Sequence, residues 1–308
     1  MTRILVTGGS GFLAGYISDR LRLAGATRLF GSDIRDPGAN RFDEFIETDI
    51  ASEDGVHHLV ERTRPDEVFH LAGIVSGDPL LAFRVNALGT VNLLSALRKH
   101  APGAGVLVIG SAAEYGTAAE MSPPFTESDS CKPEGAYGAS KHAATLAAAT
   151  YARNCGMRVV IARLFNIVGA GVPESLVVGA LARRAADAVR EGRTSIRVGN
   201  LDARRDFLAV ADAAGGCIAA LRGGRPGEIY NLCSGEATPV GWIANRIVEL
   251  SGSPLRLEVD PALDAGVTWS VGSYEKARRE LGFNPSVPLD TAVREAWESV
   301  ASTTRACA

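Results

Sequence analysis

The chain has 308 residues, of which 46% are hydrophobic and 22% are charged, and its formal net charge is −3. This apolar content excludes an intrinsically disordered chain, and the nearly neutral charge argues against a dedicated nucleic-acid-binding protein. No apolar run approaches about 18 residues and the first residues lack the pattern of a signal peptide, so we expect no membrane partner and a cytoplasmic location.

Short apolar or β-branched runs alternate with helix-length segments through the first half of the chain. The runs that predict strands are Arg3–Val6, Thr27–Ser32, Asp66–Leu71, Gly105–Ile109 and Arg158–Arg163. The segments that predict helices are Leu13–Ala24, Ser52–Arg62, Asn86–His100 and Ala139–Asn154. We therefore expect an α/β fold with a doubly wound parallel sheet that is covered on both faces.

This alternation changes after residue 166. Helices are predicted at Ser175–Glu191, Val210–Leu221, Val240–Ser251, Ser273–Leu281 and Thr291–Val300, with a short polar strand and loop at Ile196–Phe207. We expect a sheet domain over 1–166 with one more strand near 228–233, and a smaller, partly interleaved domain over the rest of 167–300. The end of the chain, 301–308, is expected to be frayed.

The first predicted strand runs into a glycine turn, Thr7-Gly8-Gly9-Ser10-Gly11, which opens a helix at Phe12 and Leu13. Glycine tolerates the backbone conformations of such a turn and lets a pyrophosphate approach the main chain. The helix N-terminus adds N–H groups and the positive end of its dipole. The pattern predicts a dinucleotide site at Gly8, Gly11, Phe12 and Leu13, the alternative being a glycine turn without a ligand.

Asp33 ends the second predicted strand, 22 residues after Gly11. A carboxylate at this offset accepts hydrogen bonds from an adenosine ribose and repels a 2′-phosphate, so it favours NAD over NADP. Arg35 weakens this preference, because a guanidinium nearby would offset the phosphate charge.

Two further segments are expected beside the cofactor. Asp49 and Ile50 would contact the adenine through the carboxylate and the apolar side chain, unless they are ordinary residues at a strand end. Leu71, Ala72 and Gly73 end another strand with small residues and would form a wall against the cofactor.

Tyr137 and Lys141 are four residues apart and share one face of a helix. Lys141 is expected to lower the pKa of Tyr137 from its ordinary value of about 10 and to hold the nicotinamide ribose. Ser111 follows the fifth predicted strand, at the sheet edge where ligands of open α/β sheets bind. Together these side chains predict proton transfer at a carbinol or carbonyl oxygen.

Four features occur in a fixed order along the chain: the turn at residues 7–12, the segment around Ser111, the Tyr137–Lys141 pair and the stretch 163–166. With these features in this order, the chain resembles the extended short-chain dehydrogenase/reductases that act on nucleotide sugars. The resemblance covers roughly residues 1–300. It implies a Rossmann domain for a nicotinamide cofactor, a smaller C-terminal domain for a nucleoside-diphosphate sugar, and catalysis by Ser111, Tyr137 and Lys141. It also implies that Asn166 contacts cofactor or substrate near the phosphates.

The C-terminal half most resembles GDP-4-dehydro-6-deoxymannose reductases and their GDP-mannose dehydratase relatives, in the stretches 197–207 and 227–235. Arg204 and Arg205 offer guanidinium groups for a diphosphate, unless they are surface residues paired with Asp202 or Asp206. The residues expected at the substrate are Ser76, Asn166, Arg197, Asn200, Arg204 and Arg205.

Dehydratases of this family carry an acid two residues after the catalytic hydroxyl, but Ala113 stands at that position and Glu114 is displaced by one. We therefore expect hydride transfer at a sugar carbonyl, most simply reduction of C4 in a GDP-4-keto-6-deoxy-hexose. A 4-epimerase that retains NAD and a catalytically silent NAD-binding regulator are the alternatives. Ala265 stands where relatives carry an arginine for the nucleotide, which leaves the base open.

The remaining predictions concern metals and partners. Five widely spaced cysteines without a Cys-x-x-Cys motif predict reduced thiols, and no cluster has the spacing of metal ligands. The alanine-rich stretch 143–149 and the helix Asn86–His100 predict the interface of a homodimer, the alternative being tight packing onto the sheet. His70 is expected to be a buried, hydrogen-bonded histidine rather than a base.

Overall fold

The computed structural model describes residues 2–25, 28–38, 41–119, 121–263, 266 and 268–306. Its strands are β1 Arg3–Thr7, β2 Arg28–Asp33, β3 Glu44–Glu47, β4 Glu67–His70, β5 Gly105–Ser111, β6 Val159–Leu164, β7 Asn166–Val168, β8 Ser195–Val198, β9 Arg204–Arg205, β10 Phe207–Ala209, β11 Ile229–Leu232, β12 Thr238–Pro239, β13 Arg256–Val259 and β14 Trp269–Ser270. Its helices are α1 Phe12–Leu23, α2 Glu53–Thr63, α3 Pro79–Ala82, α4 Gly89–His100, α5 Ala136–Cys155, α6 Val177–Arg190, α7 Val210–Gly223, α8 Val240–Ser251, α9 Glu275–Leu281 and α10 Leu289–Ala306.

Within the described part of the chain, seven strands form one sheet in the order β11-β6-β5-β4-β1-β2-β3. Every neighbouring pair is parallel, and the strand order reverses between β1 and β4. The central strands are buried almost throughout, which explains why their sequences are apolar without alternation. The prediction of a Rossmann-type, doubly wound α/β fold is confirmed.

Helices cover both faces of this sheet. One buried cluster joins the sheet to α1, α7 and α9, and another joins it to α2, α4 and α5. The expected domain boundary at residue 166 is wrong for α7 and α9, because these helices come after it in the chain and yet pack on the sheet. Their apolar residues gave no indication in the sequence of which core they would join.

A separate buried cluster lies in the C-terminal half, where α6, α8 and α10 pack together. Alanines on α6, such as Ala182 and Ala185, allow these helices to approach closely. Among the described residues, three small sheets border this unit, in the orders β10-β7, β12-β9-β14 and β13-β8.

Several local details differ from the sequence predictions. The edge strand β3 was not predicted, because its four residues are only half-buried and carry no clear pattern. The helix predicted at Asn86–His100 starts earlier, as α3, and passes through a π turn at Phe83–Leu88 before α4. The backbone of 301–306 is helical rather than frayed, and residues 307 and 308 lie outside the described residues.

The continuous helical stretch Pro79–His100 is long and apolar enough to cross a membrane by length and composition alone. Half of its apolar window is buried inside the protein, and α4 packs against α2 and α5. These contacts are those of a core helix.

Asp206 ties together segments that are distant from one another in the chain. Its carboxylate is completely buried and accepts hydrogen bonds from Ser234 N (2.7 Å), Ser234 Oγ (2.8 Å), Gly235 N (2.8 Å) and Gly272 N (3.3 Å). Its backbone carbonyl accepts from Asn166 Nδ2 at 2.7 Å. Burial raises the pKa of Asp206 to about 6, and the hydrogen bonds oppose that rise, so the group is ionised at neutral pH.

We predict that Asp206→Asn lowers the free energy of unfolding by about 2–4 kcal/mol near neutral pH, because its amide NH₂ would face donors in place of an acceptor. The exposed Asp202→Asn is the matched control and should change it by less than about 0.5 kcal/mol. Denaturant unfolding of both variants is the measurement, and equal stability of the two would contradict the tie at Asp206.

Candidate active site

The glycine turn packs directly against the end of β4. Gly8 has a φ of +70°, and a Cβ on it would lie 2.6 Å from the backbone N of Ala72 and 2.7 Å from the carbonyl carbon of Leu71. A side chain is therefore excluded both by backbone conformation and by space. The predicted cofactor residues Leu71 and Ala72 thus border the turn itself, and Phe12 and Leu13 follow it as the first residues of α1.

Asp33 ends β2 beside the same turn. Its Oδ2 accepts from Ser10 N at 3.2 Å and from the Ser10 hydroxyl, and its Oδ1 accepts from Ile34 N at 2.8 Å. Arg35 is exposed. The carboxylate is thereby held at the turn by its neighbours, where the sequence placed an acceptor for the adenosine ribose.

Asp49 and Ile50 lie in the loop after β3. Ile50 is buried against Gly89 of α4, while Asp49 is exposed and faces Arg84 at 3.7 Å. The side chain of Ile50 therefore serves the core first, and its contact with adenine stays a prediction.

The three predicted catalytic residues meet at the carboxyl edge of the sheet. Ser111 is the last residue of β5, and Tyr137 and Lys141 lie in the first two turns of α5. Ser111 lies close enough to the Tyr137 phenol to lower its pKa. Lys141 is buried, and its Nζ lies 3.6 Å from the place of a Cβ on Gly73, the third residue of the predicted cofactor wall.

The predicted effect of Lys141 on Tyr137 is wrong for this structure. Burial raises the pKa of Tyr137 above its ordinary value, Ser111 opposes that rise, and Glu114 adds to it. Burial also lowers the pKa of Lys141 to about 8, against the attraction of Glu114. The helical spacing of Tyr137 and Lys141 predicted a lowered pKa for Tyr137. Desolvation in the folded protein has the opposite effect and is larger. Tyr137 is therefore a neutral phenol, able to donate a proton.

Glu114 points away from the site, into the core. Its Oε1 accepts from Ser111 N at 2.8 Å and from Thr145 Oγ1 at 3.1 Å, and its Oε2 accepts from Arg163 Nη2 at 2.8 Å. These partners hold the carboxylate away from the position of a dehydratase acid, which Ala113 occupies. Glu114, Cys131 and His142 place one ligand atom each within 4.8 Å of one another, but Arg163 already neutralises this carboxylate.

Two neighbouring polar residues complete the site. His70 is buried between Thr7 Oγ1 (2.7 Å) and Thr90 Oγ1 (3.1 Å), and burial lowers its pKa to about 3, which fits the expected neutral, hydrogen-bonded histidine. Asn86 was missed by sequence reasoning. Its side chain binds both backbone groups of Ile74 and the Ser140 hydroxyl, and so joins the loop after β4 to α5. No sequence motif singled out this amide, because Asn92 on the following helix is also a buried asparagine.

The predicted substrate residues do not all converge. Asn200 and Arg205 line a cavity of about 340 Å³ together with Glu174, Leu176 and Arg184. Because successive residues of a strand face opposite sides, Arg204 turns elsewhere and donates to the carbonyl of Ala237 at 3.3 Å.

The other predicted substrate residues lie outside this cavity lining. Arg197 is exposed and paired with Asp260, Ser76 accepts from Asp78 N in the loop after β4, and Asn166 is held by the Asp206 carbonyl. Ala265 lies outside the described residues.

A model of the NAD dependent epimerase/dehydratase family matches residues 4–233. The chain belongs to this family. It is 30% identical to GDP-6-deoxy-D-mannose reductase of Pseudomonas aeruginosa, over 96% of this chain and 97% of that protein. Among solved structures, it is similar to RMD from Pseudomonas aeruginosa complexed with NADPH (27% identity, TM-score 0.83, 98% of this chain and 100% of the other). It is also similar to UDP-glucose 4-epimerase of Thermus thermophilus in complex with NAD (26% identity, TM-score 0.86, 97% and 99%).

Family membership confirms the predicted resemblance, the NAD(P) cofactor and the class of NAD(P)-dependent nucleotide-sugar reductase or epimerase. The residues present fit such a cofactor, since the turn has no space for a side chain at Gly8 and Asp33 is fixed beside it. The assignment of individual residues to cofactor and substrate stays a prediction.

We predict that kcat/KM falls tenfold per pH unit above about pH 8, because kcat/KM reports the free enzyme, in which Lys141 loses its charge as the pH rises through its pKa. Lys141→Arg should lower the rate but flatten this limb, because a guanidinium stays charged. Rates between pH 6 and 10 test this, with the exposed Lys132→Arg as control. A wild-type profile that stays flat to pH 10 would contradict the assignment.

Proposed function

We propose that this protein reduces C4 of a 4-keto-6-deoxy-hexose nucleotide, most simply a GDP sugar, with NADH or NADPH. The observation that carries the proposal is a neutral Tyr137 next to Ser111, with an alanine at the dehydratase acid position and a glutamate turned into the core. The site therefore has a proton donor for a carbonyl oxygen and lacks, among the described residues, the acid placed for elimination.

Each of the three residues has a role in this chemistry. When bound, the nicotinamide supplies the hydride. Tyr137 donates its proton to the oxygen that becomes an alkoxide, Ser111 donates a hydrogen bond to the same oxygen, and the Lys141 ammonium stabilises the tyrosinate that remains. A raised pKa suits Tyr137 for this direction, because the phenol holds its proton until the alkoxide forms.

The cofactor is proposed to lie across the glycine turn, with its adenosine ribose on Asp33 and its nicotinamide ribose on Lys141. The fixed carboxylate of Asp33 favours NADH, whereas the NADPH in the similar Pseudomonas aeruginosa structure shows that the fold accepts the phosphate in that relative. NADH and NADPH should therefore both support the reaction, with NADH the better of the two.

The nucleotide sugar is proposed to lie in the C-terminal half, within 167–300, with Asn200 and Arg205 at its diphosphate. This is supported by their common cavity, which a guanidinium and an amide line together. Asn166 donates to the backbone carbonyl of Asp206, the residue that follows Arg205 of the cavity lining.

A 4-epimerase is the second candidate, favoured by Asp33 and by the NAD-bound epimerase among the similar structures. An epimerase recycles its cofactor, so it would retain NAD through purification. Mass spectrometry of the small molecules released on denaturation separates the two: stoichiometric NAD favours the epimerase, and exchangeable cofactor favours the reductase.

We predict oxidation of NADH, and more slowly of NADPH, with GDP-4-keto-6-deoxymannose. Tyr137→Phe should reduce kcat at least about 10²-fold, because it removes the general acid. Tyr151→Phe, on the same helix beyond the site, is the matched control. Unchanged turnover in Tyr137→Phe would refute the mechanism, and turnover of UDP-galactose alone would replace the reductase by the epimerase.

We propose that the chain forms a homodimer through α3, α4 and α5. Large apolar side chains are exposed along this face, at Leu80 (83%), Phe83 (41%), Leu88 (48%) and Leu146 (53%). The alanines Ala144 and Ala148 of α5 are buried instead, so the alanine-rich stretch also packs inward, which was the alternative expectation.

For this interface we predict a dimer at micromolar concentration in sedimentation velocity and a monomer for Leu88→Asp, because a charge would be buried in an apolar contact. Leu23→Asp, at a leucine of α1 that is even more exposed (89%) than Leu88, is the control and should remain dimeric. A monomeric wild type would rule out the interface.

A further inference from the structure

A completely buried carboxylate lies directly behind the catalytic serine. Glu114 has no exposed surface, and it belongs to the 3₁₀ turn at Ala112–Glu114 for which Ser111 is the N-terminal cap. Ser111 Oγ accepts from Ala113 N at 3.2 Å, and the Ser111 backbone N–H donates to Glu114 Oε1 at 2.8 Å. Both the backbone and the side chain of Ser111 are thus oriented by this turn.

The same oxygen of Glu114 also holds the helix that carries the other two catalytic residues. Thr145 Oγ1 donates to Oε1 at 3.1 Å, and Thr145 lies one turn beyond Lys141 on α5. One carboxylate oxygen therefore accepts from β5 on one side and from α5 on the other. Its position determines how far Ser111 stands from the helix of Tyr137.

The surroundings keep Glu114 ionised and give both of its oxygens a hydrogen-bond partner. Arg163 on β6 is 1% exposed, donates from Nη2 to Oε2 at 2.8 Å, and stacks over the Tyr115 ring with its Cζ 4.4 Å from the centroid. Arg163 and His142 lower the pKa of Glu114 in spite of its burial. A Cβ on Gly110 would lie 2.6 Å from Glu114 Oε1, so the glycine provides the space that the carboxylate needs.

From this geometry we propose that Glu114 is a positioning residue, which aligns the Ser111 hydroxyl with Tyr137 by binding β5 and α5 through one oxygen. The proposal rests on the function proposed above only in taking Ser111 as catalytic. Glu114, which the sequence places one residue beyond the acid position of the dehydratases, thereby acquires a role in hydride transfer.

The test is a double-mutant cycle between Glu114→Gln and Ser111→Ala, with kcat measured on the sugar nucleotide that the wild type turns over. Glu114→Gln should reduce kcat roughly 10- to 100-fold, because misplacement of a reacting group by about 1 Å has effects of this size. KM and the dissociation constant of the cofactor should stay within about twofold. In the Ser111→Ala background the same change should have almost no further effect.

The proposal is overturned if the reductions in kcat caused by Glu114→Gln and Ser111→Ala multiply in the double variant, or if kcat is unchanged in Glu114→Gln. Asp212→Asn is the matched control, because this buried carboxylate accepts hydrogen bonds from Ser286 N (2.9 Å) and Val287 N (2.8 Å) and from none of the three catalytic residues. The kcat of this variant should equal that of the wild type. If Glu114→Gln does not fold, Thr145→Val decides, because it removes only the hydrogen bond to α5. Its kcat should fall roughly 3- to 10-fold, the value of one hydrogen bond, and only when Ser111 is present.

A measurement without substrate separates this proposal from the proposed function. The ¹³Cζ resonance of Tyr137, assigned by its loss in Tyr137→Phe, reports the interaction of the phenol with Ser111. Ser111→Ala should shift it, Glu114→Gln should shift it in the same direction, and the double variant should match Ser111→Ala. An unshifted resonance in Glu114→Gln refutes the positioning role, whereas failure of every sugar to turn over, with these shifts intact, refutes only the reaction.

Discussion

The hydrogen bonds of the buried Glu114 carboxylate hold the active site together. They connect β5, β6 and α5, three elements that are distant in sequence, and a carboxylate without exposed surface must be fully compensated. Arg163 supplies the opposite charge at 2.8 Å and is itself buried. The geometry of Ser111 and Tyr137 follows from this arrangement.

A second buried carboxylate, Asp206, does the same for the end of β11 and distant segments of the C-terminal half. It joins the strand end at Ser234 and the segment at Gly272, while its backbone holds Asn166 and its neighbour Arg205 lines the cavity proposed for the substrate. Two ionised groups without exposed surface thus determine the geometry at the hydride-transfer site and at the cavity beside it. Loops that are adjacent only in space are joined by them.

The balance of charges in the site also limits its chemistry. Burial keeps the proton on Tyr137 and weakens the hold of Lys141 on its own proton, so the site favours donation of a proton to an oxygen. Ala113 removes the acid that elimination requires. Reduction and epimerisation both use hydride transfer at a sugar carbonyl. They differ in whether the cofactor leaves the site after one hydride transfer.

The sequence by itself determined the parallel sheet, the glycine turn, Asp33 and the Ser111, Tyr137 and Lys141 set, because local periodicity and short motifs encode these features directly. It could not give the edge strand β3, the packing of α7 on the sheet or the opposite directions of Arg204 and Arg205. Nor could it give the sign of the pKa shift at Tyr137, or the inward turn of Glu114. Burial and long-range partners decide these properties, since desolvation and the pairing of distant charges exist only once the chain has folded.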